Sequence, residues 1–150
     1  MARALVGLAL VLCACAGPGT PGEPVFLSDE TASETNLPFS EAVRTGGLLF
    51  VSGQIGAAPG SLSVVPGGIQ AETRQALDNI AAILARHGSS MDRVVKCTVF
   101  LADVSEWADF NEVYVGYFVP GALPARSALG ANGLAAGARV EVECIAAAGP

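Results

Sequence analysis

The chain has 150 residues, 51% of them hydrophobic and 15% charged, which suits one globular domain with a real core and leaves too little for two. A formal net charge of −6, with no cluster of Lys or Arg, removes the electrostatic footprint on which nucleic-acid binding depends. One histidine, His87, excludes a multi-histidine metal site, and without a CxxC pair nothing resembles a zinc site.

"MARALVGLALVLCAC" starts with Arg3, runs apolar from Ala4 to Leu12 and ends in small residues, the pattern of a secretory signal over residues 1–14. The run is shorter than the ~18 apolar residues of a spanning helix. "LCAC", Leu12 to Cys15, also resembles a bacterial lipobox, with Cys15 as the acylated N-terminus. Cleavage after Ala14–Ala16 is the alternative and leaves a soluble exported protein. The expected location is the periplasm or cell envelope, with membrane contact only through that lipid anchor. Residues 15–36, rich in Gly, Pro, Ser, Thr and acids, read as a flexible tether, and residues 37–148 as the domain.

Gly47 to Gly56, "GLLFVSGQIG", is a β run with Gly53 inside it; such a glycine marks a bulge or a close approach to the backbone. A turn-rich loop follows. From Ile69 to His87, Ile69, Thr73, Leu77, Ile80, Ala81 and Leu84 fall on one helical face, with His87 as a solvated C-terminal residue before Gly88. Val94 to Leu101 is β-branched and reads as a strand. A second helix starts at Asp103, with Glu106 three residues on completing a capping-box pair. Its stripe of Trp107, Phe110, Val113, Tyr114 and Tyr117 reads as core packing. Strands near Ala125–Leu129 and Arg139–Ala147 close the chain, so the class is α+β, a single domain with two helices on one face of a mixed sheet. Cys97 and Cys144 sit in two of these strands and read as buried free thiols; a disulfide needs their Cα atoms within ~7 Å.

In "RVEVECIA" alternation sends Val140, Val142 and Cys144 to one face and Arg139, Glu141 and Glu143 to the other. The plain reading of those glutamates is a solvated strand face. Arg126, alone among small residues in "PARSALG", has two readings: a structural ion pair with one of the glutamates, or capture of a small organic acid by its planar fork. In the second reading a nearby glutamate positions or deprotonates water. Ser52 and Ser127 have no histidine base for nucleophilic chemistry.

"PFSEAVRTGGLLFVSGQIG", "TRQALDNIAAIL", "KCTVFLADVSEWADFNEVYVGYF", "PARS" and "VEVECIA" together resemble, in order and approximate spacing, the Rid family, also called the YjgF-like family of reactive-intermediate deaminases. The resemblance spans about Pro38 to Ala147. It implies a chorismate-mutase-like α+β fold, a homotrimer with sites in the clefts between subunits, and hydrolysis of 2-imino acids such as 2-iminobutanoate and 2-iminopropanoate to 2-keto acids and ammonia, with no cofactor and no metal. By resemblance Arg126 pairs with the substrate carboxylate, Glu143 orients the attacking water, and Asn111 is a polar catalytic-site residue. Ser52, Gly53, Phe39 and Ser127 line the substrate site. Phe39 stands where many deaminases of the family carry tyrosine, and Ala128 where many carry cysteine. The alternative function is a trimeric binding module that holds a small carboxylate metabolite without turnover; a holdase-like interaction protein is a third.

Overall fold

The computed structural model describes residues 22–28 and 37–149; the signal segment and Cys15 lie outside the described residues. Six strands form one mixed sheet: β1 Val25–Leu27, β2 Ala42–Thr45, β3 Leu48–Ile55, β4 Val94–Leu101, β5 Ala125–Gly130 and β6 Val140–Ala147, in the order β1-β2-β3-β6-β4-β5. Neighbours run antiparallel except β4 and β5, which are parallel. A parallel pair needs a crossover, and helix α2, Trp107–Tyr114, supplies it. Helix α1, Gly68–Arg86, joins β3 to β4.

Periodicity explains the packing. On α1 the residues Ile69, Thr73, Leu77, Ile80 and Leu84 recur at three- and four-residue steps and are buried, as the spacing predicts. They meet the alternate strand residues Leu49, Val51, Val99, Val142 and Ala146, while Phe110 and Tyr114 bring α2 onto the same core. Both helices therefore cover one face. The opposite face carries Glu141, Glu143, Ile145, Phe50 (39% exposed) and Leu129 (44% exposed), and no helix among the described residues lies over it.

Several expectations are corrected. Val25–Leu27, within the supposed tether, pairs with β2 as a short edge strand, and β2 itself carries too few residues for its alternation to stand out. His87 is not solvated: its side chain is 11% exposed and Nε2 lies 2.8 Å from Glu41 Oε1, with Arg86 on the same carboxylate. Asp103 caps through Ser105 N–H at the start of a 3-10 turn, Val104–Glu106, that precedes α2. The capping-box partner Glu106 instead pairs with Arg139.

Cys97 and Cys144 are not free thiols. They stand directly opposite one another on antiparallel β4 and β6, with Cα atoms 4.1 Å apart, and form a disulfide. Both are buried, at 1% and 2% exposure, on the helix-covered face.

Where β3 ends against α1 the approach is close. A Cβ on Gly56 would stand 2.5 Å from the Glu72 Cα, and Glu72, itself buried, accepts the Arg139 backbone N–H at 2.8 Å. Only glycine admits this helix to this strand.

Candidate active site

Arg126 lies on β5 in one cross-strand row with Cys97 and Cys144. Paired residues in a sheet share a face, so Arg126 turns towards α2, away from Glu141 and Glu143. There Nη1 donates to Asn111 Oδ1 at 2.7 Å. Trp107, Phe110 and Tyr114, at i, i+3 and i+7 on the helix, present ring faces to the guanidinium, with centroids 5.5, 5.6 and 4.7 Å from Cζ. Among the described residues no carboxylate lies within ion-pair range of Arg126. The structural ion pair with a strand glutamate is thus not made within the chain.

This arginine opens onto a groove of about 450 Å³ lined by Asn111, Tyr114, Val115, Leu123 and Pro124. The lining combines apolar Val115, Leu123 and Pro124 with the Arg126 cation. Burial pushes the Tyr114 phenol above its usual range, with the Arg126 charge acting in the opposite direction.

On the uncovered face a second set of residues assembles. β3 carries one extra residue between Val51 and Gln54 relative to β6, and this bulge contains Ser52 and Gly53. The strand glycine thus marks a bulge and also a close approach: a Cβ at Gly53 would stand 2.0 Å from Glu141 Oε1. Ser52 is tied down, its Oγ donating to the Ser40 carbonyl at 2.7 Å and its N–H to the Glu41 carbonyl at 3.0 Å. That bond fixes the turn carrying Phe39, whose ring is 56% exposed. Glu143 and Ser127 flank Thr98 in the next row, beside a smaller groove of about 100 Å³ that includes Phe50, Lys96 and Ile145.

So the residues singled out in the sequence fall into two half-sites on opposite faces: Arg126 with Asn111 on one, and Ser52, Gly53, Ser127, Glu141 and Glu143 on the other, Phe39 being joined to the second through Ser40. The two groups lie on opposite faces of one sheet, so within a single chain they do not form one site.

The family profile described as "Endoribonuclease L-PSP" matches residues 30–148. A mouse protein named 2-iminobutanoate/2-iminopropanoate deaminase is 45% identical over 113 residues, covering 75% of this chain and 83% of its own. A RutC family protein of Pyrococcus horikoshii is 41% identical over 117 residues, 78% of this chain and 92% of its own. The crystal structure of a Rid-family protein of unknown function from Yersinia pestis superposes with a TM-score of 0.76 at 34% identity, covering 83% of this chain and 99% of that one. The chain belongs to the Rid family.

Within this Rid protein, two features escaped the sequence reading. The aromatic stripe of α2 was legible as spacing, but only the register of β5 shows that it encloses Arg126. The contact between Gly53 and Glu141 depends on the bulge shifting register by one residue, which no local pattern encodes.

The two close-packed glycines have opposite consequences. At Gly53 an added methyl meets the far end of a flexible side chain, so Gly53→Ala is expected to leave urea stability within about 1 kcal/mol while displacing the Glu141 carboxylate. At Gly56 it meets helix backbone, and Gly56→Ala is expected to cost about 3 kcal/mol or more. Parallel urea denaturation of the two variants checks the contrast, and equal losses would contradict it.

Proposed function

We propose that this Rid protein hydrolyses 2-imino acids to 2-keto acids and ammonia in a site shared between neighbouring copies of the chain, with Arg126 and Asn111 from one copy and the bulge and glutamates from the next. The observation that carries the reading is Arg126. It is a permanent cation, held by a neutral amide and three aromatic rings, facing a groove with no carboxylate of its own among the described residues. A charge so placed is complementary to a small carboxylate ligand. The relatives named as imine deaminases support this choice of substrate class.

The chemistry asks little of the protein. An iminium carbon is already electrophilic; water adds to it, forming a C–O bond, and the C–N bond then breaks to release the amine as ammonium. A carboxylate that takes a proton from the attacking water and passes it to the nitrogen, then takes the hydroxyl proton as the C–N bond breaks and passes it to the departing ammonia, balances the reaction, with both water protons ending on the ammonium. Holding water and iminium carbon in contact supplies most of the acceleration.

The resemblance gives the water-orienting role to Glu143. The contact with Gly53 favours Glu141 as the working carboxylate, because Glu141 lies against the bulge while Glu143 stands among Lys96 and Thr98. Uncovered apolar residues on the same face, Phe50, Ile145 and Leu129, support burial of that face in an oligomer, which we take to be a homotrimer. The acidic balance of the chain speaks against the nuclease activity that the name Endoribonuclease L-PSP suggests. We extend the reading to an exported protein on the strength of residues 1–14, with Cys15 as its lipid anchor.

The test is turnover. 2-Iminobutanoate generated in situ by an amino-acid oxidase, in the presence of semicarbazide as trap, is expected to yield less semicarbazone when the protein is added. Glu141→Gln should remove at least about 10²-fold of kcat while Glu143→Gln removes much less. The reverse ranking returns the role to Glu143, and no acceleration by the unaltered chain leaves a binding module.

A further inference from the structure

Among the described residues two buried side-chain polar atoms have no hydrogen-bond partner, Glu106 Oε2 and the Tyr114 hydroxyl. The first belongs to a carboxylate whose other oxygen is engaged by Arg139. The second is the only polar atom of its side chain, on a residue 2% exposed. Buried hydroxyls in native proteins are nearly always bonded, so an orphan points to a partner that arrives from elsewhere.

The ring cannot turn to find one. Phe110 and Phe118 pack on Tyr114 with centroids 5.3 and 4.8 Å away, at tilted angles, and Arg126 lies over it. Tyr114 also lines the groove onto which Arg126 opens. Burial raises its pKa, so at neutral pH the hydroxyl is a proton donor.

We propose that Tyr114 is a second carboxylate-binding residue: its hydroxyl donates to a carboxylate oxygen of the groove's occupant while Arg126 binds the same group. The inference rests on the reading of Arg126 above and assigns it a partner. A carboxylate has about four acceptor positions, and a planar guanidinium satisfies two of them, which leaves room for a third donor. A protonated imine nitrogen has no lone pair to accept with, so the carboxylate is the group that this donor fits. Phe39 has no hydroxyl to offer in its place.

Tyr114→Phe removes the hydroxyl and keeps the ring. The probe is 2-oxobutanoate, whose binding is followed by calorimetry, beside steady-state kinetics on 2-iminobutanoate. The expected result is a melting temperature unchanged within about 2 °C, because no internal bond is lost, with Kd for 2-oxobutanoate raised about tenfold. KM should rise with kcat largely retained, the mark of an interaction made equally in ground and transition states. An unchanged Kd and KM would overturn the assignment, as would a variant several degrees less stable with unaltered Kd, since the hydroxyl would then serve the fold. Absence of turnover in the unaltered protein, with 2-oxobutanoate still bound through Arg126, defeats the deaminase reading alone and leaves Tyr114 to be judged on Kd.

Discussion

Arg126→Ala is expected to lower kcat/KM for 2-iminobutanoate by about 10²- to 10⁴-fold with little loss of fold. The magnitude follows from two charge-assisted hydrogen bonds in a partly desolvated groove, each worth about 1.5–3 kcal/mol. Stability should hold because within the chain Arg126 satisfies one amide oxygen, that of Asn111, and faces rings that pack on one another without it. Arg126→Lys keeps the charge but loses the fork, and should recover only a small part of the activity. Circular dichroism and urea denaturation beside the kinetics separate the two effects. A variant that loses stability in proportion to activity would mean that the arginine serves the core instead.

Replacing both Cys97 and Cys144 by alanine is expected to destabilise the fold by about 4 kcal/mol in the chain-entropy account, lowering the urea midpoint by about 1.3–4 M. The bridge joins residues 47 apart in sequence, and α2 and β5, including Arg126, lie inside the loop that it closes. Reduction should therefore loosen the crossover that carries the binding half-site. With both sulfurs buried in the core, reductant should act slowly on the native protein and fast in urea. Peptide mapping without reductant should recover Cys97 and Cys144 as one linked pair; two alkylated single peptides would contradict the bridge. Such a bond persists in an oxidising compartment.

What could be read in advance, and what could not, follows from the range of the forces involved. Helix α1 is legible because Ile69, Leu77, Ile80 and Leu84 repeat over about four turns and the pattern is local. Arg126 stood out because a lone charge among small residues lacks an obvious local partner. Gly53 showed itself as a glycine inside a strand. The rest depends on register. Period-two alternation says that Arg126 and Ser127 point opposite ways, but not which of them faces α2; that is set by Cys97 lying beside Arg126 in the parallel pair. The disulfide is hidden for the same reason, since its two strands meet only through β6 inserting between β3 and β4. β1 and β2, with three and four residues, are too short to show a period. His87 looked solvated because its partner, Glu41, is 46 residues away in sequence.

In the function proposed for this protein, each catalytic site is shared between copies of the chain. That sharing is tested most directly by mixing two inactive chains, Arg126→Ala and the double variant Glu141→Gln/Glu143→Gln, refolding or co-expressing them at equal amounts, and assaying imine hydrolysis. If Arg126 of one copy works with a glutamate of the next, random assembly makes about one site in four intact, and about a quarter of the unaltered activity should return. If the site is contained in a single chain, every site in the mixture carries one defect or the other, and no activity above that of the separate variants will appear.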